Sequence, residues 1–128
     1  MEKWWDEYEV LEYLEALPYE DISNGFYAVY KYEVDRNGLR LLLLISPVEA
    51  YVYVAIVQVG QQTPVVEFHL HRCQGIRYVN HPHGAHLLFL PGEIADDEGD
   101  NRVPLPFPIR LYANPSIKIQ HGSVPYRE

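Results

Sequence analysis

Five of the six histidines fall between His69 and His86, and imidazole is the side chain that both titrates and ligates transition metals near neutral pH. His69 and His71 stand two apart, so on a strand they share one face. His81, His83 and His86 follow in the next loop and strand entry. Three neutral imidazoles form a donor set for zinc, iron, nickel or copper with one position left open. The ligands expected on this reading are His69, His71 and His86. Glu67, on the face of His69, and His81 and His83 are further candidates, as ligand or base. A hairpin between 65–72 and 76–80, closed at Gln74-Gly75, would bring the His81–His83 loop back to the start of 65–72. The spacing matches no established zinc signature, and polar residues of a half-wet strand would look the same.

Cys73 is the only cysteine. It follows His71 and Arg72, a base and a cation of the kind that lower a thiol pKa and make a nucleophile. The alternative is a turn cysteine with no role. A single cysteine excludes an intrachain disulfide, so the fold needs no oxidising compartment. Phosphate-cradling glycine loops, Gly-x-Ser-x-Gly and His-Glu-x-x-His are all absent. The acidic run Asp96, Asp97, Glu98 and Asp100 misses the calcium-loop pattern, because Ile94 stands five positions before Gly99. A solvated loop is expected there.

The net charge of −8 is concentrated at one end. Residues 1–21 hold eight acids against Lys3, and the rest of the chain is close to neutral. With no Lys/Arg cluster to neutralise phosphates, nucleic-acid binding is not expected, and an anionic membrane surface would repel this segment. The N-terminus lacks a basic region followed by an apolar run, and no apolar stretch approaches membrane-span length. A cytoplasmic protein is therefore expected.

The same segment carries Trp4, Tyr8, Leu11, Leu14 and Leu17 at three- and four-residue steps, with Trp5 and Val10 beside them, which predicts an amphipathic helix over 3–17 stopped by Pro18. Trp4 and Trp5 are adjacent and cannot both centre one narrow stripe. One anchors to the core while the other lies at the edge. Tryptophan and tyrosine ringed by carboxylates are the residues of protein-binding hot spots. Trp4, Trp5, Tyr8, Glu9 and Glu12 are accordingly the expected partner-binding residues, and the acids would steer a basic partner.

From Phe26 onward the hydrophobic period switches to two. Strands are expected at 26–34, 39–46, 51–59, 65–72, 76–80, 86–90, 109–113 and 116–120. Asn37-Gly38 marks a tight hairpin. Alternating Pro104, Pro106 and Pro108 force an extended edge or strap. The chain of 128 residues suits one domain: an acidic helical segment at 1–21, a meander over 25–120 and a loose tail at 121–128. The fold class is α+β, an N-terminal amphipathic helix packed on an antiparallel β-meander of about six to eight strands. An all-β sandwich or barrel with a helical lid is the alternative.

The function expected is a small non-enzymatic interaction module, of a binding, chaperone-like or inhibitor/immunity-like kind, with an acidic aromatic surface, a protein partner and no cofactor. Homodimerisation through a sheet edge or the helix fits the same features. The alternative is a metal-binding protein or metal-dependent enzyme built on the histidine cluster.

Overall fold

The structure, a computed structural model, describes residues 4–21, 28–82, 84–90, 92–95, 102–104 and 107–121. Among them are one short helix and eleven strands, all paired antiparallel in two sheets. The helix, α1 (Glu7–Leu14), is shorter than the periodicity predicts. Trp4 and Trp5 precede it as a bend. Asp6 caps its first turn, its carboxylate accepting from the Tyr8 N–H at 2.8 Å. Its end comes at Glu15, which takes a left-handed conformation (φ 56°), and the Ala16 N–H closes the turn on the Leu11 carbonyl at 3.3 Å. Pro18 lies three residues beyond that end. The last turn has no base of its own. Arg36 supplies one from a strand, donating to the Leu14 carbonyl at 3.2 Å.

The first sheet has seven strands in the order β1 (Tyr19–Asp21), β2 (Val29–Arg36), β3 (Leu39–Ser46), β4 (Tyr51–Gln58), β5 (Val66–His71), β8 (Glu93–Ala95) and β9 (Arg102–Pro104). Asn37 and Gly38 both have positive φ, the geometry the Asn-Gly pair predicts for the β2–β3 hairpin. The second sheet runs β11 (Lys118–His121), β10 (Ile109–Tyr112), β7 (His86–Phe89), β6 (Ile76–Val79). The chain therefore leaves the first sheet after β5, builds β6 and β7, returns for β8 and β9, and leaves again.

That crossing corrects one expectation. Residues 65–72 and 76–80 do not form a hairpin: β5 pairs with β4 and β8, while β6 pairs with β7. Arg72 at φ 55° turns the chain out of the sheet. The returning strand fits beside β5 because residue 92 is glycine, where a Cβ would lie 2.5 Å from the His71 carbonyl oxygen. Strands β1, β8 and β9 were not expected, each being three residues long. Pro104 ends β9 on the sheet edge, the position where a missing N–H costs least. The turn at 23–25, the start of the 26–34 strand, the acidic run at 96–100, Pro106 and the 122–128 tail lie outside the described residues.

One apolar cluster joins both sheets and the N-terminal segment. It takes Leu41, Leu43, Val52, Val54 and Leu70 from the first sheet and Leu87, Phe89 and Leu111 from the second. Val10 and Leu14 of α1 belong to it at 1% and 0% exposure, as does Trp5. No helix among the described residues is long and apolar enough to cross a membrane.

Candidate functional site

The acids of α1 become a site through what faces them. Glu9, Glu12 and Tyr13 stand at i, i+3 and i+4 and share a helix face. Together with Glu15, Tyr78 of β6, Ala85 and Asn114 they line a pocket of about 340 Å3. Among the described residues, its lining holds three carboxylates and no Lys or Arg. The Arg36 guanidinium lies 3.8 Å from the Glu15 carboxylate.

The floor is held rigidly by Tyr13. Its hydroxyl donates to the Ala85 carbonyl at 2.7 Å and accepts from the Ala113 N–H at 2.9 Å, and its carbonyl accepts from the Asn114 amide at 2.9 Å. Burial pushes the Tyr13 pKa upward, so the phenol stays a neutral donor. The Tyr78 ring stands 5.8 Å away. Glu9 is pinned in turn, one carboxylate oxygen accepting from the Tyr78 N–H at 3.0 Å. The same segment covers the outer edge of β6 elsewhere, because the Trp4 carbonyl accepts from the Ile76 N–H at 3.0 Å and from Arg77 at 2.8 Å. Otherwise open edge groups are satisfied without a neighbouring strand.

Of the expected partner-binding residues, the structure brings Glu9 and Glu12 into this pocket. Tyr8 lies outside it, 68% exposed. Trp5 is 5% exposed, inside the core rather than at the surface. Trp4 is half-buried, its indole N–H donating to the Pro47 carbonyl at 3.0 Å. Tyr13 and Tyr78 were missed. Tyr13 is visible as a helix-face neighbour of Glu9, whereas Tyr78 arrives only through tertiary pairing.

The histidines divide between the two sheets. Glu67, His69 and His71 share the outward face of β5, beside Tyr51 and Tyr53 of β4. The Tyr51 hydroxyl meets His69 Nδ1 at 2.6 Å, and the Tyr53 hydroxyl donates to the Glu67 carboxylate. The His71 ring lies 5.1 Å from Tyr51. His86 is on β7 in the other sheet, fully buried, with its Nδ1–H donating to the Gly84 carbonyl at 3.0 Å and its ring 4.9 Å from Tyr112. His81 is half-buried in the preceding loop, and His83 lies outside the described residues. Among the described residues, no group of three His, Cys, Asp or Glu side chains is placed to hold a metal ion.

Burial, with the charges of Arg110 and His81, pulls the His86 pKa below its ordinary 6.5, while the Gly84 carbonyl works in the opposite direction. An unfolded chain then takes up its proton near pH 6.5 while the folded one resists. The unfolded state binds more protons below that pH. Stability is full above about pH 6.5 and falls as the pH drops towards the folded pKa, at up to about 1.4 kcal/mol per pH unit for this one group. Urea midpoints measured between pH 7.5 and 5.5 should fall, and His86→Asn should flatten that dependence. An unchanged slope would mean that His86 does not carry it.

Cys73 is buried, its thiol directed at the Gly75 carbonyl at 3.4 Å, and burial pushes its pKa up to about 11. It is a protonated thiol at neutral pH, the reverse of an activated nucleophile. Alkylation by iodoacetamide should run roughly 100-fold slower in the folded chain than in urea, in line with the lower thiolate fraction and the burial. Equal rates would place the thiol at the surface.

No protein-family model and no curated protein matches this chain. Its fold is that of a two-sheet antiparallel domain similar to a chain of a solved contact-dependent growth inhibition toxin–immunity protein complex from Klebsiella pneumoniae 342. The two agree at a TM-score of 0.68 over 91% of this chain and 92% of that one, with 19% sequence identity. At that identity the likeness is one of fold.

Proposed function

We propose that this chain is a small non-enzymatic interaction module of the inhibitor or immunity kind, which holds a basic protein partner at the acidic pocket of α1. The observation that carries the reading is the pocket: three carboxylates around two tyrosines, with one carboxylate already oriented by a backbone N–H. A partner Lys or Arg entering it meets charge-assisted hydrogen bonds and an aromatic wall, and loses little to ordering the protein side. The likeness to a chain from a toxin–immunity complex supports a protein partner as the occupant. On this reading α1, packed on the sheets through Val10, Tyr13 and Leu14, serves as the platform for the acids.

The test reverses charge at two exposed positions, of which Glu15 also lies 3.8 Å from the Arg36 guanidinium, so the fold of the variant is checked by circular dichroism. Glu12 and Glu15 are exposed, so Glu12→Lys with Glu15→Lys leaves the core untouched. A partner recovered on the parent chain should bind the double variant at least roughly 100-fold more weakly, and parent binding should weaken as salt rises. A partner that binds both chains equally, without salt dependence, would refute the reading.

A further inference from the structure

The three carboxylates of the acidic pocket are not equivalent, because the protein itself already engages two of them. One Glu9 oxygen accepts from the Tyr78 N–H at 3.0 Å, which fixes the group and leaves its other oxygen for a ligand. Glu15 faces the Arg36 guanidinium at 3.8 Å. Arg36 is held in place by three further acceptors. Its Nη2 donates to the Leu14 carbonyl at 3.2 Å, its Nη1 to the Asp35 carbonyl at 2.9 Å and its Nε to the Asn114 side-chain oxygen at 3.4 Å. A positive charge is therefore fixed at the end of the pocket where Glu15 and Asn114 stand. Glu12 makes no hydrogen bond or ion pair with the described residues.

A cation entering the pocket is repelled from the Arg36 end and drawn to Glu9 and Glu12, one turn apart on α1. The wall beside them is aromatic. The Tyr78 ring is 43% exposed and lies 5.8 Å from the Tyr13 ring at 48°. The Tyr13 hydroxyl already donates once and accepts once within the protein, so this wall offers a ligand ring surface. The volume of about 340 Å3 is close to the lower limit of roughly 300 Å3 for ligand pockets, room for one side chain. Of the two basic side chains, arginine matches all of these features. Its planar guanidinium carries donors for two carboxylates at once and stacks on an aromatic ring, whereas the lysine ammonium is a compact, strongly hydrated point charge.

We propose that the pocket takes a single arginine side chain of the partner, its guanidinium bridging Glu9 and Glu12 against the Tyr78 ring, while Arg36 withholds Glu15 from it and so sets where the cation sits. The inference rests on the acidic pocket being the partner site. The test is a titration of the full chain with N-acetyl-argininamide, followed through backbone amide resonances. N-acetyl-lysinamide and the uncharged N-acetyl-citrullinamide serve as controls. N-acetyl-argininamide should saturate shifts at Glu12, Tyr13 and Tyr78, with lysinamide at least roughly threefold weaker and citrullinamide without effect. Glu12→Gln should weaken argininamide binding about tenfold, and Glu15→Gln less than about twofold. In an Arg36→Gln chain, Glu15→Gln should cost at least roughly threefold, and in an Arg36→Lys chain it should again cost little. The amide spectrum reports the fold of each variant, and the contrast between Glu12→Gln and Glu15→Gln decides the matter in the parent background. Absence of saturable shifts, shifts confined to other residues, equal affinity for either control, or equal losses from Glu12→Gln and Glu15→Gln would each overturn the proposal. A chain that loses its partner on Glu12→Lys with Glu15→Lys, yet ignores argininamide, would keep the proposed function and remove this inference alone. Equal affinity for lysinamide would leave a pocket for basic side chains in general.

Discussion

Trp5→Ala should destabilise the chain by about 3–5 kcal/mol, the usual cost of emptying a buried tryptophan site. Trp5 is 5% exposed, belongs to the central apolar cluster and meets the edge of the Tyr30 ring at a centroid distance of 5.1 Å. Removing it leaves a cavity where Val10 and Leu14 also bury their side chains, and close-packed surroundings relax only partly into such a space. Tyr8→Ala, three residues on, should stay within about 0.5 kcal/mol, because its ring is mostly in water. Urea unfolding followed by far-ultraviolet circular dichroism separates the two, and avoids the fluorescence lost with the tryptophan. A neutral Trp5→Ala alongside a costly Tyr8→Ala would mean that the N-terminal segment presents the opposite face. The comparison also tells a structural aromatic from a binding one, a distinction that the composition of this segment leaves open.

The second large effect concerns one oxygen atom. Tyr13→Phe should cost about 2–4 kcal/mol, since it strands both the Ala113 N–H and the Ala85 carbonyl. Ala113 is fully buried, so its N–H has no easy recourse to solvent. The ring itself is retained, and hydrophobic burial changes little. The loss therefore reports the hydrogen bonds that tie α1 to the segment before β7 and to the end of β10. The pocket keeps its three carboxylates in this variant. Affinity for a basic partner, measured on the folded fraction, should fall far less than it does on reversal of Glu12 and Glu15. A stability loss below about 0.5 kcal/mol would show that water takes over the hydroxyl's role.

The two substitutions divide the N-terminal segment into what holds it and what it offers. Trp5, Val10, Tyr13 and Leu14 hold it. Glu12 and Glu15 are exposed and, on the proposed function, face the partner. Glu9 does both, since its carboxylate lines the pocket and also satisfies the outward N–H of Tyr78 on the edge strand β6. Charge reversal at Glu9 would confound folding with binding, which is why Glu12 and Glu15 are the positions for the binding test.

Much of the chain was legible locally. The apolar run of 39–46 and the Asn37-Gly38 turn place β3 at its bounds, and the period-two alternation of 26–34 places the end of β2 within two residues. Those signals are contained in the segment that they shape, because alternation assigns faces and turn residues assign backbone angles. The helix was legible as amphipathic but too long, because the left-handed Glu15 that ends it has no marker of its own in the sequence. The three-residue strands β1, β8 and β9 are too short to show a period at all.

Which strands become neighbours was not written in any one segment. The alternation of 66–71 says that Glu67, His69 and His71 share a face, and the structure agrees. It does not say that β8 will take the place beside β5 while β6 joins the other sheet, and so it could not separate His69 from His86. The same holds for the acidic pocket. The residues themselves carry the charge and the helix-face spacing of Glu9, Glu12 and Tyr13, while Tyr78, Ala85 and Asn114 meet them only after a pairing pattern spanning some seventy to one hundred positions has formed. By itself the sequence determined which residues are apolar, which carry charge and which face of each element they occupy, since those depend on side-chain chemistry and local backbone period. Only the tertiary structure decided which of those faces meet, because strand order and sheet crossing depend on long-range packing that no local pattern encodes.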